Sequence, residues 1–236
     1  MMQRYFAINE NLELSKDDIY HITKVMRMKK SDRFVIIFDK KLFVCEIDEI
    51  SSNNVNFNVI EELKEDNELD KNIIVAFTLV NENKTDFILQ KCTELGASAF
   101  IPILTERSKI KLNDKSSKKI ERWQKICKEA SEQSHRNIIP KVHDITSVKD
   151  LTKTKYDLKI LCSTKEKEKS LKNMLQNSQK CDNIIIVVGP EGGISPSEEL
   201  FLNENGFISV SLGSTILRTE TAPIFALSAI KYELMR

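Results

Sequence analysis

The chain has 236 residues, 41% hydrophobic and 30% charged, with a formal net charge of +1 at pH 7. That length supports one large domain or two modest ones, and the composition suits a soluble globular fold and excludes wholesale disorder. The near-neutral total hides a segregation: residues 46–70 hold nine acids against Lys64 alone, whereas residues 106–141 hold eleven Lys/Arg against five acids.

The basic stretch fits either a face for a polyanion or a solvated helix surface, and charge alone leaves both open. Met1 to Glu10 carries no long apolar run or cleavage pattern, and no stretch reaches the length of a membrane helix. Cys45, Cys92, Cys127, Cys162 and Cys181 are scattered without CxxC spacing, which predicts reduced thiols in a cytoplasmic protein and no zinc site.

In chain order, Ser15 or Asp17 caps a short helix over Asp17–Met28, with Ile19, Ile22, Val25 and Met26 as its apolar positions. Arg33–Asp39 and Leu42–Ile50 flank Lys40-Lys41 as a hairpin, with Val55–Ile60 a third strand. The acidic run Glu61–Asp70 lacks periodicity and is the expected linker. From Asn72 the pattern alternates: strand Ile73–Val80, helix Thr85–Leu95 closed by Gly96, strand Ala99–Leu104. Lys118–Ser134 is an amphipathic helix with Ile120, Trp123, Ile126, Cys127 and Ala130 on one face.

Leu158–Cys162 and Ile184–Val188 are buried strands on either side of a helix at Ser170–Leu175. Ser195, followed by Pro196 and by Glu198 three residues on, opens the next helix with a capping box. Phe207–Leu212 is the last strand, and Thr221–Leu234 a terminal helix that tolerates Pro223 in its first turn. Strands alternating with helices predict an α/β fold whose largely parallel sheet is covered on both faces.

Several chemistries are excluded by absence. No GxGxxG, GxxxxGK[ST] or GxSxG occurs, His21, His135 and His143 are the only histidines, and no His/carboxylate cluster has metal-ligand spacing. Five of the six glycines, in contrast, lie between residues 189 and 213. Gly189-Pro190-Glu191-Gly192-Gly193 follows a strand and precedes a capped helix, where backbone amides can meet a ligand. A tight strand-to-helix turn is the alternative, but two adjacent glycines beside a proline exceed its needs. Leu212–Ala222 repeats the situation, with Arg218 and Glu220 beside Gly213. There the alternative is Glu220 as an acid favoured at a helix N-terminus with Arg218 as its surface partner.

The string Lys84-Thr85-Asp86, Gln90–Gly96, Glu106-Arg107-Ser108, Arg122-Trp123, Glu129-Ala130, Glu132–Arg136, GPEGG and LGSTILRTETA resembles the bacterial 16S ribosomal RNA uridine-N3 methyltransferases of the SPOUT, or α/β-knot, class. Arg4-Tyr5-Phe6 and His21–Arg27 are similar to that family's opening motifs, so the likeness spans the chain. It implies a PUA-like β-barrel RNA-binding domain over residues 1–68 and, over 72–236, a parallel sheet carrying a deep trefoil knot. It also implies a homodimer acting on 16S rRNA, with S-adenosylmethionine as cofactor and no metal.

On this resemblance the cofactor is held by three loops: Leu161, Cys162, Ser163 and Thr164; Gly189, Pro190, Glu191, Gly192 and Gly193; and Leu212, Gly213, Ile216 and Leu217. Arg218 would stabilise negative charge on the target uridine, and Glu220 would position it or accept the N3 proton. RNA contacts are expected from Arg4, Tyr5, Lys24 and Arg27, and from Arg107, Gln133 and Arg136, with Lys109, Lys111, Lys118, Lys119 and Arg122 as further candidates. His135 stands where the family commonly has glycine, Thr215 where a basic residue is common, and Ile194 where larger side chains occur. The competing functions are an inactive RNA-binding or ribosome-assembly factor of the same fold, and a methyltransferase of this class acting on another RNA position.

Overall fold

The computed structural model describes residues 2–51, 54–108, 116–178 and 180–234. Its contacts divide into two units, Met1–Glu68 with Ser131–Ile139 and Leu69–Ala130 with Pro140–Arg236. Nothing in the sequence pattern signals that Ser131–Ile139 returns to the first unit.

The first unit is built on strands β1 (Arg4–Phe6), β2 (Arg33–Phe38), β3 (Lys41–Ile50) and β4 (Val55–Leu63), hydrogen-bonded in that order. β1 runs parallel to β2, and the other pairs are antiparallel. Alternation sorts the side chains to two faces. Phe34, Ile36, Cys45 and Ile47 pack with Tyr5 and Ile22, while Val35, Ile37, Leu42 and Val44 form a second cluster. Edge-to-face contacts link Tyr5 to Phe34 and Phe34 to Phe57 at centroid distances of 5.8 and 5.5 Å.

Three details differ from the sequence expectation. The hairpin turns on Asp39-Lys40 rather than Lys40-Lys41, because a two-residue turn needs positive φ at both positions, here 46° and 66°. β4 runs on through Glu61 and Glu62 into the expected linker; the charged, exposed side chains suit an edge strand. The predicted helix is helix α1 (Lys16–Tyr20), capped by Ser15 with Asp18 closing a reciprocal box, and it widens into a π-helical turn over His21–Val25.

The second unit is a seven-stranded sheet, parallel at every pairing. Its strands are β5 (Asn72–Thr78), β6 (Ala99–Leu104), β7 (Lys141–Val142), β8 (Thr146–Ser147), β9 (Leu158–Cys162), β10 (Asn183–Val188) and β11 (Ile208–Val210). The order is β11-β9-β10-β5-β6-β7, with β8 also on β6. The helices are α2 (Glu82–Glu94), α3 (Ser116–Gln133, whose last three residues count with the first unit), α4 (Val148–Leu151), α5 (Leu171–Gln176), α6 (Pro196–Glu204) and α7 (Thr221–Leu234).

β5 and β10 are buried at every position after their first residue, which is why they read as continuous apolar runs rather than alternating ones. α3 turns Trp123, Cys127 and Ala130 inward, and α7 packs on α2, α5 and the centre of the sheet. The last strand is shorter than the expected Phe207–Leu212. The amide of Phe207 donates to the carbonyl of Leu202 at the end of α6, and beyond Val210 the chain turns away from the ladder.

All five cysteines are free. Burial pushes the Cys45 and Cys162 thiols up to about 12 and raises Cys92 as well. An unfolded thiol ionises near ~8.5, so the unfolded chain loses these protons first. Their contribution to stability is complete below that value and is lost as pH climbs from there toward the folded one, by about 1 kcal/mol per pH unit and thiol. Urea midpoints should therefore fall between pH 8 and 10 under reducing conditions; a midpoint flat across that range would contradict the assignment.

Candidate active site

β10, β9 and β11 end level. Val188 pairs with Cys162, and Cys162 with Val210, so the three following loops leave the same edge of the sheet side by side. The carboxyl ends of parallel strands are where open α/β sheets collect ligands. Here the loops enclose a cavity of about 960 Å3, near the upper end of the ~300–1,000 Å3 usual for small-molecule sites.

The first loop contributes Leu161, Cys162, Ser163 and Thr164 to the lining, the second Gly189, Pro190, Glu191 and Gly193, and the third Leu212, Gly213, Ile216 and Leu217. Gly192 is the one expected cofactor residue that does not line it. Its carbonyl accepts a hydrogen bond from Arg107 Nη1 at 2.6 Å instead. Ile216, at 82% exposure, is an exposed edge of the cavity rather than an inner wall.

Two glycines are required by geometry. A Cβ on Gly189 would sit 3.0 Å from both the amide nitrogen and Cγ1 of the buried Ile194, too close for an alanine without moving backbone. Gly213 has φ of +128°, which a residue with a side chain rarely adopts.

Arg218 and Thr219 also line the cavity. The Arg218 side chain is exposed and makes no hydrogen bond or ion pair among the described residues. Glu220 lies behind the lining, with its Oε2 buried and its side chain 15% exposed. The two are not paired. The cation beside Glu220 is Lys84, whose Nζ is 3.4 Å from Oε2.

The same Nζ lies 2.5 Å from Oε1 of Glu191. These neighbours raise the Lys84 pKa, first through the hydrogen bond to Glu191. In the sequence Lys84 stands out only as part of the Lys84-Thr85-Asp86 motif. The signal that marks it is its position in the first turn of α2, three residues after the Asn81 cap, where a cation opposes the helix dipole.

The first unit holds other expected contact residues in different roles. Arg4, 8% exposed, donates to Glu65 Oε2 at 2.7 Å and to the His135 carbonyl at 3.2 Å. Tyr5 is 2% exposed, and its hydroxyl meets His21 Nδ1 at 2.9 Å. Arg136 is buried and ion-paired with Glu68. None of these three offers a free face to RNA: each is buried because it satisfies a partner inside the unit. Lys24, Arg27 and Gln133 are exposed, as are Arg107 and Lys118 in the second unit. Arg122 is paired with Asp86, Lys119 is half-buried, and Lys109 and Lys111 lie outside the described residues.

Residues 67–231 match the family model for an RNA methyltransferase domain, and residues 14–60 that for an RNA methyltransferase PUA domain. The chain is 40% identical to ribosomal RNA small subunit methyltransferase E of Bacillus subtilis, over 98% of this chain and 97% of that one. It belongs to the ribosomal RNA small subunit methyltransferase E family.

Among solved structures of similar chains, a ribosomal RNA small subunit methyltransferase E from Neisseria gonorrhoeae, bound to S-adenosyl methionine, aligns with a TM-score of 0.85 at 28% identity over 98% of both chains. A structure from Legionella pneumophila in complex with the bound cofactor SAM gives 0.90 at 29% identity, again over 98% of each. The α/β architecture and the β-rich first unit of this small subunit methyltransferase E family member agree with the fold class that the sequence resemblance implied. Among its described residues no cluster could hold a metal ion, and no helix is long and apolar enough to cross a membrane.

Proposed function

We propose that this chain transfers a methyl group from S-adenosylmethionine to N3 of a uridine in 16S rRNA. The observation that carries this reading is the cavity itself: glycine-bearing turns leave backbone amides and carbonyls along it, and Leu161, Val188, Ile194, Leu212 and Leu217 supply apolar walls. That combination fits a nucleoside-bearing cofactor, read along its edges by backbone and along its faces by aliphatic side chains. When bound, S-adenosylmethionine supplies an electrophilic methyl group.

The chain's own residues provide the rest. Uridine N3 carries a proton at neutral pH, and its removal leaves negative charge shared with the base oxygens. On this reading Arg218, which lines the cavity and makes no ion pair among the described residues, stabilises that charge, and Glu220, from behind the lining, accepts the proton. Cys162 also lines the cavity, and burial keeps its thiol protonated, with a pKa near 12. A neutral thiol is a poor nucleophile, so it does not compete for the methyl group.

RNA is held through Lys24 and Arg27 on the first unit and Arg107 and Lys118 on the second, all exposed cations suited to phosphate. The working form is a homodimer. Phe87 on α2 and Phe225 and Tyr232 on α7 are 44%, 45% and 84% exposed, on two helices that pack together, which supports an apolar face for a second copy.

The test is nucleoside mass spectrometry of 16S rRNA from a strain lacking this chain. Loss of 3-methyluridine, restored by re-expression, is the expected result. Disappearance of a different methylated nucleoside would assign another target, and an unchanged profile would leave only an RNA-binding role.

A further inference from the structure

We propose that Lys84 is a positioning residue for methyl transfer, acting by holding Glu191 and Glu220 in place at the cavity. This rests on the methyltransferase reading and extends it to a residue that never joins the chemistry. Three segments remote in sequence meet at its ammonium group: the first turn of α2, the loop after β10, and the approach to α7.

Each carboxylate needs that cation for a different reason. Glu220 Oε2 is buried, and among the described residues Lys84 at 3.4 Å is the charge that compensates it. A carboxylate removed from water without a cation either takes up a proton or swings toward solvent. Glu191, 44% exposed at its side chain in the GPEGG loop, brings its Oε1 to 2.5 Å from Lys84. That contact fastens the loop to α2 on the side where Gly189 and Gly193 line the cavity. One lysine thus sets both the charge of the carboxylate behind the acceptor side and the position of a cavity wall. Two carboxylates converging on one site without it would repel each other.

The bridge also explains an otherwise unfavourable choice. A cation in the first turn of a helix opposes the dipole, and α2 has no other cation in that turn. The lysine is tolerated there because two acids converge on it from outside the helix.

The experiment measures single-turnover transfer of a tritiated methyl group to 16S rRNA in small subunits for wild type, Lys84→Met, Lys84→Arg, Glu220→Gln and Lys84→Met/Glu220→Gln. S-adenosylmethionine affinity is measured by calorimetry for each. Lys84→Met should slow transfer by about 10-fold or more, and Lys84→Arg should restore most of the loss. In the Glu220→Gln background the same change should cost less than about 3-fold, because coupled residues are not additive.

Full multiplicativity in the double variant would overturn the proposal. So would a loss of cofactor affinity at unchanged rate, which would make Lys84 a direct ligand, or a wild-type rate in Lys84→Met. If wild type itself transfers no methyl group to 16S rRNA, the function reading fails instead. The same five proteins then decide Lys84 through cofactor-induced thermal shifts: a Lys84→Met effect that survives undiminished in the Glu220→Gln background overturns the bridge, and one that vanishes there upholds it.

Discussion

Replacing Arg218 with alanine should lower methyl transfer to 16S rRNA by about 100- to 1,000-fold, the range seen when one preorganised donor to a developing anion is removed. The side chain lines the cavity, is exposed, and forms no hydrogen bond or ion pair with the described residues. Its removal therefore strands no buried partner, and surface changes of that kind rarely shift stability by more than ~0.5 kcal/mol. Cofactor affinity and the urea midpoint should stay near wild type while the rate collapses. The three measurements together are diagnostic: a rate within a few-fold of wild type would remove Arg218 from the mechanism, and a collapse of all three would mean the loop had misfolded.

The largest effect on stability is expected at Glu68. Its carboxylate, 13% exposed, faces the Arg136 guanidinium at 4%, with Arg136 Nε at 3.1 Å and Nη2 at 2.5 Å from Oε2. Oε1 accepts the backbone amides of Asn137 at 2.8 Å and Ile138 at 3.1 Å. Glu68→Ala removes an ion-pair partner of a buried cation and the acceptor of two amides at once, and breaking such a pair costs about 3–5 kcal/mol. The contrasting variant is Glu68→Leu with Arg136→Met. Replacing both members by apolar residues should recover much of the loss, since an ion pair and a well-packed apolar pair are often of similar worth when buried. Equal destabilisation of the single and double variants would show that the backbone amides, not the charges, carry the effect.

Long, strongly patterned elements were legible in the sequence. β6, β9 and α7 begin and end where periodicity, caps and Pro223 place them, and Ser195 with Glu198 caps α6 as its residues predict. β1, β7, β8 and α4, of two to four residues each, are too short to carry a period and exist through pairing and packing with distant segments. Two of the three loops at the cavity were legible because glycine is rare elsewhere in the chain; the first, Leu161–Thr164, carries none and was marked only by the family resemblance.

Partnerships were not legible. Arg4 and Arg136 look like surface cations until Glu65 and Glu68 arrive from what reads as an acidic linker, and Lys84 looks ordinary until Glu191 and Glu220 converge on it. A single residue's charge is visible in a sequence; whether water or a counter-ion surrounds it depends on segments far away. His135 makes the same point for backbone. It adopts φ of 58°, the left-handed conformation that glycine enters freely, and its carbonyl is held there by Arg4 and Asn67. His135 holds that conformation at the expense of local strain.

The segment Ser131–Ile139, which folds back into the first unit, has a consequence for synthesis. N-terminal domains commonly fold while the rest of the chain is still being made, at ~5–20 residues per second. This one cannot close in that way. When Glu68 leaves the ribosome, Arg136 has not yet been translated, and the interval before it emerges is on the order of several seconds at that speed. Until then the strands can pair and Arg4 can reach Glu65, but Glu68 has no Arg136 to settle against. The nascent first unit is an open sheet that waits for the chain to pass through part of the catalytic unit and return, so the order of translation is not the order of completion.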